Sequence, residues 1–264
     1  MGKCVGCGLV QVVPMPTVRE IAKLYDEDFE HFEPYFDQEV VHHAYFKKKI
    51  EEIIRKIPDQ VGNDKKCLLD IGCLTGILLD EAKKVGMNVA GVDISHDAVT
   101  VCKKKGFAMY EGTIQSLGNK IHPNSFNIIT AFQVIEHERD PLNTVKRIYK
   151  LLKKDGLIVM ATPNYSGLWQ KIMGKRWFGF AHPEHVVLFD FKTMKLLLEK
   201  AGFKDIEVKN DSPRPFPLSF AFTRGADYFP WAAWILKPLG KFFDHFNLKN
   251  PINPWDDMIV FGKK

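Results

Sequence analysis

Cys67-Leu-Leu-Asp70-Ile-Gly72-Cys-Leu74-Thr-Gly76 is the stretch that decides the fold. An apolar run closes on an aspartate, turns through glycines and enters Ile77 to Lys84, whose apolar residues have helical spacing. Strand, glycine turn and helix in that order build a crevice at the carboxyl end of a strand, where open α/β sheets bind ligands. Glycine tolerates positive φ and lets backbone approach a ligand, while the first N–H groups of the helix face it. Asp93 ends the next apolar run, 93 − 72 = 21 residues after Gly72, where a carboxylate can accept hydrogen bonds from ribose hydroxyls. Together these features predict an adenosine-containing ligand. A dinucleotide fingerprint needs glycines at 72, 74 and 77. Leucine stands at 74 and isoleucine at 77, so a nucleotide-dependent oxidoreductase is the weaker reading.

Upstream of that turn, Val40 to Ile57 has apolar residues at helical spacing and is closed by Pro58, while residues 1–38 read as an irregular lead-in. Downstream, strands are predicted at Asn88 to Val92, Phe107 to Tyr110, Phe126 to Phe132, Gly156 to Thr162, Ile206 to Lys209 and Met258 to Gly262. Helices are predicted at Asp97 to Lys105, Pro141 to Leu152 and Lys192 to Ala201, the last stopped by Gly202. Such alternation implies a doubly wound α/β fold with a mostly parallel sheet covered on both faces. The expected organisation is a lead-in over 1–38, a ligand-binding domain over 39–211 and 256–264, and an aromatic- and proline-rich insertion over 212–255. That insertion, with Phe216, Phe222, Trp231, Trp234, Phe242 and Phe246 among its aromatics, suits a lid, a homodimer contact or a peripheral membrane contact, against plain packing on the domain's own core.

The 37 basic and 32 acidic residues, net charge +5, are mixed along the 264-residue chain, which argues against nucleic acid as a partner. Five cysteines at irregular positions make no disulfide framework and point to a reducing, cytoplasmic compartment. No apolar run reaches the roughly 18 to 20 residues of a spanning helix, and no secretory leader pattern opens the chain.

Five motifs then follow one another in register: LLDIGCLTGILLDEAKK from Leu68, GVDIS from Gly91, EGTIQSL from Glu111, SFNIITAFQVIEHERDPLNTVKRIYKLLKKDGLIVMATPN from Ser125, and PEHVVLFDFKTMKLLLEKAGF from Pro183. In this order and spacing the chain resembles the class I S-adenosylmethionine-dependent methyltransferases, in the branch with ubiquinone-pathway O-methyltransferases and sugar methyltransferases. The resemblance implies a seven-stranded Rossmann-like sheet and S-adenosylmethionine as cofactor. It places Asp70, Gly72, Cys73 and Gly76 around the methionine end, Asp93 and Ile94 on the ribose, and Thr113 and Ile114 beside the adenine. Phe132 and Gln133 would border the sulfonium and the entry for acceptor. The family usually has glycine where Leu74 stands and aspartate where Thr113 stands, which leaves a catalytically silent binding protein as an alternative.

Methyl transfer needs alignment first, and an acid or base only where the acceptor is a hydroxyl or a carbon. Glu136 and His137 follow the fourth predicted strand, and His182, Glu184 and His185 follow the fifth, so both groups can reach one crevice. Neutral histidine takes up a proton at physiological pH. The alternative for Glu136 and His137 is to hold the loop and cap the next helix. Although His182 and His185 are spaced like metal ligands, a zinc site needs more ligands, and none is expected here. Lys175 and Arg176 suit an anionic substrate group or an ordinary basic surface loop. The expected acceptor is a small molecule, methylated on oxygen or a sugar carbon, with sugar, quinone-like and lipid-linked compounds as candidate classes. Cys4-Val-Gly-Cys7-Gly resembles half of a zinc ribbon; zinc is not expected within one subunit, and a truncated start, a degenerate remnant or an ion shared between subunits stay open.

Overall fold

A computed structural model describes residues 1–17, 20–21, 39–57, 65–181, 184–213, 217–245 and 256–264. The chain opens with strands β1 (Gly2–Lys3) and β2 (Val10–Gln11), then helix α1 (Glu39–Lys56). There follow β3 (Cys67–Ile71), α2 (Ile77–Lys84), β4 (Asn88–Asp93), α3 (His96–Lys104), β5 (Ala108–Glu111) and β6 (Phe126–Phe132). Next come α4 (Pro141–Leu151), β7 (Leu152–Pro163), α5 (Leu168–Met173), α6 (Phe178–Ala181), β8 (Val187–Leu188), α7 (Phe191–Ala201) and β9 (Lys204–Asn210). The chain closes with α8 (Leu218–Tyr228), α9 (Ala233–Asp244) and β10 (Asp257–Lys263).

Seven strands form the main sheet in the order β5-β4-β3-β6-β7-β10-β9. From β5 to β7 every pairing is parallel, while β10 runs antiparallel to both β7 and β9. The order reverses between β3 and β6, so the switch point that creates a crevice lies at the carboxyl ends of those two strands.

Alternation along the strands divides the core into two layers. Leu69, Ile71, Ile129, Ala131, Ile158 and Met160 pack with Val145, Ile148 and Leu151 of α4 and with Met194 and Leu198 of α7. Their strand neighbours Leu68, Ile128, Leu157 and Val159 pack instead with Ile50 and Ile53 of α1, Leu78, Leu79 and Ala82 of α2, and Cys102 of α3. Strands buried on both faces read as continuous apolar runs, which is why the sequence shows them so plainly. Local chemistry fixes the helix ends as well: Asp190 and Thr193 close a capping box on α7, and Gly202 ends it at φ 103°.

Residues 1–12, expected to be irregular, instead form a hairpin of β1 and β2 that extends onto β8 as a second, three-stranded sheet. Val10 and Leu188 seal that small sheet over Trp177, whose ring is fully buried. The Lys171 to Phe180 loop is thus organised around its tryptophan, with Lys175 and Arg176 exposed. Of the aromatic-rich stretch, α8 and α9 pack on each other through stacked Phe222 and Phe243, centroids 5.1 Å apart. That pairing leaves Trp231, Trp234 and Phe242 exposed at 74%, 76% and 59%, so these rings are not spent on the domain's core. Phe216 and Phe246 lie outside the described residues. No helix among the described residues is long and apolar enough to cross a membrane.

Candidate functional site

The crevice is built first by backbone. Gly72 has φ +70° and Gly76 φ +77°, conformations that cost glycine little. A Cβ on Gly72 would lie 2.6 Å from Val134 Cγ2, and one on Gly76 would lie 2.9 Å from Cys102 Sγ. Between them Leu74 also takes positive φ, +47°, so the backbone keeps the turn that glycine would make and a leucine side chain bears the strain. Helix α2 starts at Gly76 with no side-chain cap, which leaves its first N–H groups for a ligand's negative end.

Asp93 ties this turn together. Its Oδ2 accepts from Leu74 N at 2.8 Å and its Oδ1 from Ser95 N at 2.9 Å. Each oxygen has a second lone pair, so the same carboxylate can still accept from hydroxyls of a ligand. Burial raises its pKa, against the pull of those N–H donors. Asp70 is buried at the end of β3, where the Thr130 hydroxyl donates to its Oδ1 at 2.6 Å. Desolvation lifts the Asp70 carboxyl to about 7; Thr130 opposes the shift, and the Asp93 charge adds to it.

Not every predicted residue turns its side chain to the crevice. Cys73 packs inward, its Sγ 2.7 Å from where a Gly91 Cβ would stand, and Ile114 is 1% exposed in the core. Both are left with backbone to offer a ligand. Ile94 is half-exposed. Thr113 spends its hydroxyl on Ser116 N (3.1 Å) in a local turn. Gln133 has φ +56° and its Nε2 is buried with no hydrogen-bond partner among the described residues. A strained, non-glycine residue holding a buried donor at a strand end makes Gln133 a candidate for the site. Beside it, Phe132 meets Phe46 and Tyr45 edge to face at 5.3 and 6.3 Å.

Beyond Gln133 a short 3-10 turn carries Glu136 and His137. Thr162 Oγ1, at the end of β7, donates to Glu136 Oε2 at 2.9 Å, and Val186 N donates to the Glu136 carbonyl at 2.9 Å. His137 Nδ1 lies 3.1 Å from the Glu184 carbonyl, and His185 Nδ1 lies 3.2 Å from the Gly179 carbonyl. Carbonyls only accept, so both Nδ1 atoms carry protons. The two imidazoles stand edge to face with centroids 4.9 Å apart. Helix α4 is capped by Asp140, which accepts from Asn143 N; Glu136 and His137 are not its cap. Glu184 enters this cluster through its carbonyl, and His182 lies outside the described residues.

The sequence reading missed Thr130 and Thr162, each an isolated polar residue within an apolar strand, which is the signal that would have found them. It also missed a buried group under α1: Tyr45 and Lys49 both hydrogen-bond Asp211, with Lys49 and Asp211 almost fully buried. A surface cleft lined by Arg55, Lys56, Glu207 and Lys263 lies at the opposite ends of the strands from Asp70, Asp93 and Gln133, and ion pairs through Lys209 and Glu52 link its Glu207 to Lys49.

Residues 41–208 match the family model described as a methyltransferase domain. A ubiquinone biosynthesis O-methyltransferase of Actinobacillus pleuropneumoniae is 32% identical over 108 residues, 38% of this chain and 46% of that protein. The mitochondrial ubiquinone biosynthesis O-methyltransferase of Candida albicans is 27% identical over 231 residues, 83% of this chain and 68% of that protein. The chain thus spans about half the length of the first of these relatives and two thirds of the second. Among solved structures, a SAM-dependent methyltransferase from Archaeoglobus fulgidus superposes with TM-score 0.59 at 18% identity, covering 88% of this chain and 100% of that one.

Proposed function

This chain belongs to the methyltransferase-domain family, and from that premise we propose that it methylates a hydroxyl oxygen of a small-molecule acceptor with S-adenosylmethionine as donor. The observation that carries this reading is that a backbone turn locked by Asp93 and the Glu136, His137 and His185 cluster both lie at the carboxyl ends of neighbouring parallel strands. When bound, S-adenosylmethionine supplies a methyl group already activated by its positive sulfur.

On this reading Asp93 holds the ribose, the uncapped start of α2 and the glycine turn take the methionine end, and Asp70 sets a negative potential beside them. Gln133 offers its buried amide N–H groups to a ligand oxygen. Phe132, with Phe46 and Tyr45 behind it, keeps water from the reacting atoms. The bond formed is acceptor oxygen to methyl carbon and the bond broken is methyl carbon to sulfur; the hydroxyl proton leaves through the histidine cluster to solvent. His185 and His137, each held through Nδ1 by a backbone carbonyl, are the groups that take that proton, Glu136 balances the charge that results, and Glu184 orients His137 through its carbonyl.

The likeness to the ubiquinone biosynthesis O-methyltransferases and the aromatic wall beside Phe132 favour a quinone-like acceptor over a sugar. The exposed aromatic face of α9 is in keeping with delivery of such an acceptor from a lipid surface. The test is incubation with S-adenosylmethionine and a panel of phenols, catechols and sugars, reading S-adenosylhomocysteine and methylated product. His185→Ala is expected to slow turnover about 100-fold or more with cofactor affinity intact; equal loss of both would assign the histidine to structure.

A further inference from the structure

Helix α9 carries apolar side chains on two sides, where an ordinary surface helix has one apolar stripe. One side closes against α8. Phe243 stacks on Phe222, a Cβ on Gly240 would stand 3.3 Å from the Ser219 carbonyl oxygen, and Leu236 lies 3.5 Å from where a Gly225 Cβ would be. On the other side Trp234, Ile235 and Leu239 are exposed, joined by Trp231 from the turn just before the helix. Among the described elements, α8 and α9 pack extensively only on each other and on that turn. The hairpin therefore presents an apolar face that the domain does not use for its own core, and such a face marks an interaction surface.

Charge says what that face fits. Lys237 and Lys241, one turn apart and both exposed, run along the flank of the exposed side next to Trp234. No carboxylate occurs between Pro230 and Phe243. We propose that the α8–α9 hairpin docks this chain onto a lipid bilayer surface that bears anionic headgroups. The indole rings enter the boundary between headgroups and acyl chains, where an aromatic body with a polar N–H is at home. The lysines lay their stems along the apolar face and bring their ammonium groups to the lipid phosphates. A second copy of this chain fits less well, because pairing two such hairpins adds both lysine rows to one interface with no carboxylate on this stretch to offset them.

The same edge of the domain supplies a second element of this character. Asn210 at the end of β9 pairs with Met258, and Asp257 at the start of β10 pairs with Pro163 at the carboxyl end of β7. The segment holding the hairpin thus leaves and returns at the edge where the parallel strands end. Asp256, the residue at that return, accepts from Trp169 N and Gln170 N of α5. Leu168 and Ile172 of α5 are exposed, with Lys171, Lys175 and Arg176 exposed beside them and no carboxylate among residues 168–176. Docking stands on these surfaces alone. Its purpose, a short path from the bilayer to the crevice for an apolar acceptor, rests on the methyltransferase reading.

The test mixes the full chain, without cofactor, with vesicles of phosphatidylcholine alone or of an equimolar mixture with phosphatidylglycerol, and reads co-sedimentation and tryptophan emission. Binding to the anionic vesicles with a blue-shifted emission is expected, weakening as salt is raised. Lys237→Glu combined with Lys241→Glu should weaken that binding about tenfold or more. Trp231→Ser combined with Trp234→Ser should weaken it to a similar degree and remove most of the blue shift. Circular dichroism and S-adenosylmethionine titration of both variants are expected to match the parent; should the tryptophan variant fail to fold, the lysine variant, changed at exposed positions, carries the test. A folded chain that binds neither kind of vesicle, or binding that neither variant weakens, overturns the docking surface. So does a dimer in sedimentation velocity that the tryptophan variant takes apart, since the face then belongs to a second copy. Vesicle binding by a chain that takes up no S-adenosylmethionine sustains the docking surface and removes the methyltransferase reading instead.

Discussion

Leu74 shows how much one side chain can be asked to tolerate. A left-handed conformation costs a non-glycine residue about 1 to 2 kcal/mol, and the Leu74 N–H bond to Asp93 holds it there. Leu74→Gly relieves that strain but loses about 0.5 to 1 kcal/mol to chain entropy. Its stability in urea unfolding is therefore expected within about 1 kcal/mol of the parent, whereas Leu74→Val, β-branched at positive φ, should lose about 1 to 3 kcal/mol. Asp93→Ala removes the tie and the proposed ribose acceptor together, weakening S-adenosylmethionine binding by about 1 to 3 kcal/mol; an unchanged dissociation constant would refute that role. Asp70 makes a pH prediction. Its folded pKa, about 7, stands above the ordinary 3.8, so its contribution to stability is full below pH 3.8 and is lost as pH rises through 7. Asp70→Asn should remove that decline. A cationic cofactor favours the ionised carboxylate, so binding should release protons near pH 6.5 and tighten as pH rises to 8, seen by calorimetry in buffers of different ionisation enthalpy and absent in Asp70→Asn.

At the scale of elements, α1 is fastened to the end of β9 by a buried ion pair, Lys49 with Asp211, to which Tyr45 adds a hydroxyl. Helical spacing at Ile50 and Ile53 announced the helix, but nothing local could announce Asp211, which lies 162 residues from Lys49. Lys49→Ala strands a buried carboxylate and is expected to cost about 3 to 5 kcal/mol in chemical unfolding. A loss under 1 kcal/mol would mean that water reaches Asp211. The strand-turn-helix units were legible because both faces of the parallel sheet are buried and each helix carries one apolar stripe. The two-residue strands β1, β2 and β8 were not, since so short a strand has no period to read, and their pairing depends on a tryptophan at position 177.

For the molecule as a whole, the family follows from motifs in register, and the candidate site from topology: β3, β4, β6 and β7 all end at one edge of the sheet, which gathers residues spread from Asp70 to Thr162 along that edge. Spacing marked Asp70, Gly72, Gly76 and Asp93, whose roles depend on the chain just beside them. The burial of the Cys73 and Ile114 side chains could not be read there, because the inward or outward sense of a side chain in a turn is set by packing against Gly91 and the core. The sequence reading brought Glu136 and His137 to the same crevice as His185, but not to their direct contact, which depends on how the loop after β7 returns over β6. The central claim is that this crevice binds S-adenosylmethionine. Isothermal titration of the folded chain with S-adenosylmethionine tests it most directly: one site per chain, lost or strongly weakened in Asp93→Ala, is the predicted result. No heat of binding from a cooperatively folded sample, at cofactor concentrations up to about 1 mM, the upper end of ordinary enzyme affinities, would contradict it.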